Sequence, residues 1–220
     1  MSRLVAWSTA LAALAGSLPG LAGCGDNFAP VDAAGAPDLQ FVAEAMTPTV
    51  QLDAGEFAAD SCAVVEGCVG APGRRRLLRF ATVTANLGTA DLIVGVPPPM
   101  GESNDVFQWS PCHMHHHVKN FASYELVDSA GTVVTARKQA FCLEDDRRIV
   151  LGAQTHGYSC LNQGISRGYA DVYGSDLACQ WMDITDMAPG AYTLRIVANP
   201  LHIIVESDTT NDVFTAAVSL

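Results

Sequence analysis

Basic residues are scarce in this sequence. Lys and Arg number 12 against 23 Asp and Glu, which gives a formal net charge of −11 over 220 residues. Proteins that bind nucleic acid need a positive field to attract the phosphate backbone. The charge balance therefore argues against a nucleic-acid partner and favours cationic partners, amines included, although an ordinary soluble extracellular surface would carry the same balance.

Long apolar runs and sustained helical periodicity are also missing. The N-terminal apolar stretch, Leu4–Leu18, falls short of the ~20 residues that cross a bilayer, and apolar residues nowhere keep a 3.6-residue period for long. Charged residues make up only 16% of the chain, whereas there are 19 glycines and 11 prolines. This composition predicts an all-β fold, with an antiparallel β-sandwich core and long disulfide-tied loops that carry the functional site.

Short strand-like stretches alternate with turn signals. Residues 77–86 (LLRFATVTAN) have the composition of one strand, and residues 120–127 and 132–137 flank Asp-Ser-Ala-Gly, which predicts a hairpin. Ala191–Ala198 alternates apolar and polar residues, so one face of this strand should be buried. Val213–Leu220 is predicted as the last strand.

The N-terminus has the pattern of an export signal. Arg3 precedes the apolar stretch, and Leu-Ala-Gly stands directly before Cys24, as in bacterial lipoproteins. We predict a signal peptide over residues 1–23, a lipidated Cys24 with a flexible tether over residues 24–37, and one folded domain over residues 38–220. The expected location is the cell envelope, at the periplasmic face or the cell surface, with the membrane reached through the lipid anchor.

Six cysteines remain once Cys24 is set aside. An even number in an exported chain predicts three disulfides, although six cysteines allow fifteen pairings. Cys62 and Cys68 are separated by only five residues and are the pair that we expect first. There is no Cys-x-x-Cys pair, which argues against a zinc ribbon or a thioredoxin-like motif. The candidates are Cys62, Cys68, Cys112, Cys142, Cys160 and Cys179.

Four of the six histidines lie within residues 113–117. Side chains at alternate positions of a strand share a face, so His113, His115 and His117 should project together, with His116 on the other side. Three imidazoles with an open position suit Cu(II), Zn(II) or Fe(II). A solvated polar turn or hydrogen-bonded core histidines are the alternatives, but three histidines at alternate positions favour a metal site.

Four motifs from Trp109 onward resemble the lysyl oxidase family, in the family's order and at similar separations. They are WSPCHMHHHVKNFASYELVD (109–128), ARKQAFCLED (136–145), GYADVYGSDLACQWMDITDMAPGAYTL (168–194) and NPLHIIVESDTTND (199–212). The resemblance covers roughly residues 38–220 and describes a bacterial lipoprotein member of that family. It implies a copper-dependent amine oxidase that deaminates primary amines, peptidyl lysine foremost, to aldehydes with release of H₂O₂ and ammonia.

The resemblance also implies the site residues. The family's copper(II) ligands match His113, His115 and His117. Its self-derived cofactor, lysyl tyrosylquinone, would form from Lys138 and Tyr173, which would thus be both the catalytic and the cofactor residues, with O₂ as the oxidant.

One departure from the family affects the disulfides. Tyr169 stands where the family has a cysteine, and the vertebrate members carry more cysteines in all. The comparison therefore suggests that Cys142 pairs with Cys179 and Cys112 with Cys160. The loop after residue 144 is also shorter, which affects substrate specificity more than chemistry.

The general base stays open. Asp171 and Asp176 flank Tyr173, and His156 is the other histidine near the motifs. A carboxylate in a dry site can have its pKa raised into a useful range, whereas either aspartate alone is more commonly a turn-capping residue.

Two rival functions remain. A cupin-like, non-quinone metalloenzyme would add a ligand such as Glu125 or His202 to the histidines. An adhesion module or copper-binding scaffold on an immunoglobulin-like fold would need no enzyme chemistry. Only the amine oxidase hypothesis uses Lys138 and Tyr173 jointly.

Overall fold

The structure is a computed structural model that describes residues 35–220, without the side chains of residues 136–140. The predicted signal peptide, Cys24 and most of the tether lie outside these residues. The elements in chain order are β1 (Leu39–Phe41), α1 (Ala43–Met46), a 3₁₀ turn (Thr47–Thr49), β2 (Gln51–Phe57), α2 (Cys62–Val65), β3 (Gly73–Arg79), β4 (Thr82–Asn86), β5 (Leu92–Gly95), β6 (Phe107–Ser110), β7 (His115–Val127), β8 (Val133–Phe141), β9 (Arg147–Arg148), β10 (Gln163–Ile165), β11 (Tyr169–Tyr173), β12 (Trp181–Asp183), β13 (Ala191–Ala198) and β14 (Val213–Ser219).

The strands form four antiparallel sheets. The largest has the order β14-β13-β7-β6, with β8 also paired to β7, and the others are β1-β4-β11-β9, β12-β3-β2 and β10-β5. One core contains side chains from β3, β4, β7, β8, β11, β13 and β14, including the edge-to-face pair Phe80 and Tyr124. Each large apolar side chain buried there contributes about 1.5–3 kcal/mol. The predicted all-β, antiparallel class is confirmed.

Most of the predicted strands are present at their expected positions. Strand β13 has the predicted bounds, β14 ends one residue early, and β7 and β8 form the predicted hairpin around the Asp128 turn. The single strand over residues 77–86 was wrong, because the chain breaks between β3 and β4. The backbone N–H of Ala81 donates to Thr49 Oγ1 at 2.7 Å, which takes that amide out of the sheet ladder.

The folded domain includes the last residues of the predicted tether. The Ala36 carbonyl accepts from the N–H of Thr89 (2.9 Å), and the Pro37 carbonyl accepts from the N–H of Ser207 (2.9 Å). A Cβ at Gly88 would lie 2.3 Å from the Ala36 oxygen, so only glycine lets the two segments approach this closely. Among residues 35–220, no helix has the length and apolar character needed to cross a lipid bilayer.

Three disulfides join the six cysteines, as predicted, but the expected pairings were wrong. The bonds are Cys62–Cys112, Cys68–Cys179 and Cys142–Cys160, with Cα–Cα distances of 5.8, 5.2 and 5.3 Å. These distances lie in the normal range for a disulfide.

Local structure explains the failure of the Cys62–Cys68 prediction. Cys62 begins helix α2, whereas Cys68 lies beyond its end and is buried with Trp181, beside Cys179. A short spacing in sequence does not bring two side chains together when a helical turn lies between them.

The pairings suggested by the family comparison, Cys142–Cys179 and Cys112–Cys160, failed for a different reason. The N–H of Leu143 donates to Gln163 Oε1, and the N–H of Gly164 donates to the Leu143 carbonyl. These bonds fold the segment after β8 back on itself and bring Cys160 to Cys142. Cys112 and Cys179 therefore bond to Cys62 and Cys68, which lie at the start of helix α2 and after its end.

Candidate metal centre and its neighbouring tyrosine

Three histidine side chains converge at the start of β7. The distance from His117 Nε2 to His115 Nε2 is 2.9 Å, and that from His117 Nε2 to His113 Nδ1 is 3.4 Å. His115 and His117 are alternate residues of β7 and share a face. The structure thus brings together the three residues that the sequence indicated as metal ligands.

His113 reaches the cluster in an unexpected way. We expected all three histidines on one extended strand, but His113 lies in the turn before β7. Met114 has φ of 58°, in the left-handed region, and its N–H donates to the Ser110 carbonyl at 2.8 Å. This turn, and not strand alternation, directs the His113 imidazole towards the other two.

The geometry fits a metal ion. Ligand nitrogens that each lie ~2.0–2.1 Å from one ion are themselves ~3 Å apart, close to the distances seen here. Burial, with the neighbouring imidazoles, lowers the pKa of His117 to about 4, and the same causes lower the pKa of His115. Both side chains are therefore neutral at physiological pH, which is the form that binds a metal.

His116 lies on the opposite face, as the alternation predicted. Its ring is buried, its Nε2 lies 2.9 Å from the Glu102 carbonyl oxygen, and it packs edge-on against Trp109 at 4.9 Å between ring centroids. His116 is a structural residue of the β6–β7 pair.

Glu66 contacts His113, and the sequence did not indicate this contact. Its Oε2 lies 3.5 Å from His113 Nε2, on the side of the ring away from the cluster. Glu66 Oε1 accepts a hydrogen bond from Ser110 Oγ at 2.6 Å. Ser110 Oγ in turn accepts a hydrogen bond from the backbone N–H of His113. Glu66 follows helix α2, which the Cys62–Cys112 bond ties to the residue before His113. At 3.5 Å the contact between Glu66 and His113 is electrostatic and not a hydrogen bond. Histidine ligands of metals commonly have such a carboxylate beside their second ring nitrogen.

We expect Glu66→Gln to lower metal affinity about 10–100-fold, because the neutral amide polarises the His113 ring less. Chelator competition on the purified variant measures this, and Glu56→Gln, at an exposed position of β2, is the matched control. An unchanged affinity would mean that Glu66 serves only to hold Ser110.

Tyr173 is held at the end of β8. Its hydroxyl accepts from the N–H of Cys142 at 2.8 Å and donates to the Cys142 carbonyl at 3.0 Å, and its ring lies 4.1 Å from that of Phe141. Burial and the nearby charge of Asp171 raise the pKa of Tyr173 well above its ordinary value. The phenol is thus neutral and fixed in orientation.

Lys138 is on the strand that ends at this tyrosine contact. In β8 its backbone pairs with Ser123 of β7, four residues before Cys142. Four extended residues span at most ~14 Å, so the backbone of Lys138 lies within that distance of Cys142. The Lys138 side chain is outside the described residues, so its approach to Tyr173 stays a prediction.

Two acidic residues near Tyr173, Asp171 and Glu144, act on its phenol electrostatically. Asp171 is fully buried, lies on the same face of β11 as Tyr173, and accepts from the N–H of Glu144 at 3.3 Å. Burial and the charge of Asp146 raise the pKa of Asp171 well above its ordinary value, and burial raises the pKa values of Glu144 and Asp146. Glu144 and Asp146 were not among the predicted site residues, although the three consecutive acidic residues that begin at Glu144 were a signal.

The other candidate bases, unlike Asp171, are exposed. Asp176 is exposed in the turn after β11, and His156 is bound to Asp91, whose carboxylate also accepts from the Tyr158 hydroxyl at 3.2 Å. The extra ligands considered for a cupin-like site are not with the histidines either. Glu125 pairs with Arg195, and the ligand cluster that the described residues form at this site contains only His113, His115 and His117.

A further carboxylate cluster joins the two ends of the domain. Glu206 accepts from the N–H of Leu39 at 2.8 Å and from Asn199 Nδ2 at 2.6 Å. Burial raises the pKa of Glu206 to about 7, and the charges of Asp212 and Asp38 act in the same direction. No sequence pattern that we considered indicated this cluster.

Stability should depend on pH through Glu206. The folded protein holds this proton more tightly than the unfolded chain, whose glutamates titrate near 4.5, so the contribution of Glu206 to stability falls as pH rises from about 4.5 to about 7. We expect the melting temperature of metal-free Glu206→Gln, relative to that of the metal-free wild type, to rise as the pH increases across this range. Asp208→Asn, at an exposed carboxylate of the same loop, should show no such gain.

Together these features define an all-β, disulfide-linked domain with a candidate three-histidine metal site and a partly buried tyrosine beside its hairpin. Comparison with known proteins gives the family. The lysyl oxidase family model matches residues 37–220, and the chain belongs to this family.

The chain is similar to several curated relatives. It is 37% identical to lysyl oxidase homolog 2 of Rattus norvegicus over 191 residues, which is 81% of this chain and 24% of the relative. It is 37% identical to lysyl oxidase homolog 2A of Danio rerio over 193 residues (81% and 25%), and 36% identical to lysyl oxidase homolog 4 of Homo sapiens over 190 residues (80% and 24%). The chain thus spans about a quarter of the length of these relatives.

Proposed function

We propose that this protein is a copper-dependent amine oxidase of the lysyl oxidase type, which converts primary amines to aldehydes and releases H₂O₂ and ammonia. The observation that carries the proposal is the convergence of His113, His115 and His117 in a chain of this family. Support comes from Tyr173, whose hydroxyl is hydrogen-bonded to the backbone of Cys142, four residues after Lys138.

The proposed cofactors are copper(II), held by the three histidines, and a lysyl tyrosylquinone derived from Tyr173 and Lys138. The quinone would supply a carbonyl group that takes up the electrons of the amine, chemistry that protein side chains cannot perform alone. The chain's own part is positioning. The two hydrogen bonds to Cys142 fix the phenol, and the Phe141 ring packs against it.

Asp171 is the proposed general base. Asp171 and Tyr173 are alternate residues on one face of β11, so a proton removed beside the tyrosine ring has this carboxylate as its nearest acceptor on the strand. Its pKa, raised by burial, makes the ionised form a stronger base than an exposed aspartate.

Substrate, partner and location follow as proposals from charge and sequence. A net charge of −11 attracts cationic amines, peptidyl lysine included, and O₂ is the second substrate. Export, with anchoring to the membrane of the cell envelope through a lipidated Cys24, would place the enzyme where disulfides are stable.

A peptide map of the purified wild-type protein after exposure to copper and oxygen tests the proposal. We expect one pair of peptides, containing Lys138 and Tyr173, to appear joined, with a gain of oxygen and a loss of hydrogen in the combined mass. Protein exposed to oxygen with a copper chelator should give the two peptides separately. Recovery of both peptides unmodified from protein shown to contain copper would refute the proposal.

A further inference from the structure

The methionines of the described residues fall into two groups. Met46 and Met182 are buried, and Met187 packs against the core. Met100 and Met114, in contrast, are 72% and 63% exposed. An exposed thioether adds little to the core and is open to oxidation, so packing does not explain these two side chains.

The two exposed methionines line the same cavity. This cavity has a volume of about 210 Å³, and its wall also contains Trp109, His115 and His116. His115 is also one of the three converging histidines, so the cavity and the metal centre have this residue in common.

The backbone at Met114, beside this cavity, is in a strained conformation. Its φ of 58° is unfavourable by roughly 1–2 kcal/mol for a residue with a side chain. The left-handed turn directs His113 into the cluster and leaves the Met114 side chain exposed in the wall of the cavity. Such strain is retained mainly at functional sites.

We infer that Met100, Met114 and His115 form an acceptor site for Cu(I), from which copper passes to the three-histidine centre. Thioether sulfur is a soft ligand that selects Cu(I), whereas imidazole also accepts Cu(II) and Zn(II). His115 belongs to both sites, so the ion can keep this ligand while the thioethers are replaced by His113 and His117. The transfer exchanges ligands and changes no oxidation state. The inference rests on the copper site of the proposed function but concerns a separate set of ligands.

Silver(I), a redox-inert ion with the same preference for sulfur, provides the first test. The full chain with ¹³C-labelled methionine methyl groups is titrated with Ag(I) and followed by NMR. We expect the Met100 and Met114 signals to shift, while those of the buried Met46 and Met182 do not. Shifts absent from Met100 and Met114 would overturn the inference.

The same titration on His113→Ala/His117→Ala separates this site from the histidine centre. This variant lacks two of the three histidines but keeps Met100, Met114 and His115, so both methionine signals should still shift. If the shifts disappear with the histidines, the methionines do not bind the ion independently, and the inference fails whatever becomes of the oxidase proposal.

Copper uptake gives a second measurement. Under anaerobic conditions, Met100→Leu/Met114→Leu should take Cu(I) from a chelator at least about tenfold more slowly than the wild type, because leucine has the size but not the sulfur. Its equilibrium affinity for Cu(II) should stay unchanged, and Met187→Leu is the control. Uptake as fast as that of the wild type would show that the cavity is an apolar groove without a role in copper loading.

Discussion

Tyr173→Phe is expected to leave copper bound and to abolish the quinone absorption band, the cross-linked peptide and amine oxidation together. Phenylalanine keeps the ring that packs on Phe141 but lacks the oxygen from which a quinone carbonyl must derive. None of the three converging histidines hydrogen-bonds to this hydroxyl, whose partner is the Cys142 backbone. Copper content should therefore match that of the wild type, while oxidase activity falls below detection.

Stability is the first control for this variant. Removal of the hydroxyl leaves the N–H and the carbonyl of Cys142 without that partner, which costs about 1–3 kcal/mol when such groups stay buried. A melting curve establishes whether the variant is folded at the assay temperature.

Tyr169→Phe is the matched variant, because Tyr169 lies on the same strand and its hydroxyl accepts from Arg148 at 3.1 Å. It should retain the quinone band. Lys138→Ala should behave like Tyr173→Phe, with copper retained and the band lost. A Tyr173→Phe protein that still forms the chromophore would show that another tyrosine is the precursor.

The sequence predicted the parts of this fold that depend on local pattern. The alternation over Ala191–Ala198 specified strand β13, and the Asp-Ser-Ala-Gly turn specified the β7–β8 hairpin. The histidine cluster was predicted because alternate residues of a strand share a face, and that argument held for His115 and His117. It failed for His113 because a single left-handed residue, Met114, redirects the chain.

Features that depend on long-range packing were beyond sequence reasoning. The disulfide from Cys68 spans 111 residues to Cys179, and nothing local to either cysteine specifies the partner. The support of His113 by Glu66 likewise results from helix α2 being tied to the residue before the histidine cluster. The contact of Tyr173 with the Cys142 backbone links β11 to the residue that follows β8, a strand of another sheet. Such contacts depend on the complete fold, so a motif can name the residues but not their neighbours.

His117→Ala is expected to have the largest effect on copper itself. Its Nε2 lies within 3.4 Å of ring nitrogens of both His113 and His115, so it is the common neighbour of the other two histidines. Loss of a supporting residue alone lowers metal affinity about 10–100-fold, and loss of a direct ligand should exceed that. We therefore expect copper affinity to fall by more than roughly a hundredfold, and the quinone, whose formation is proposed to need copper, not to form.

His116→Ala provides the matched comparison within the same segment. It removes an imidazole of equal size from the adjacent residue, together with the contact to the Glu102 carbonyl and the packing on Trp109. This variant should be less stable than the wild type, yet it should bind copper, because its ring lies on the face of β7 opposite the cluster. Chelator competition on both proteins at one pH measures the difference. If His116→Ala loses copper while His117→Ala retains it, the metal lies on the other face of β7, and the three-histidine assignment is wrong.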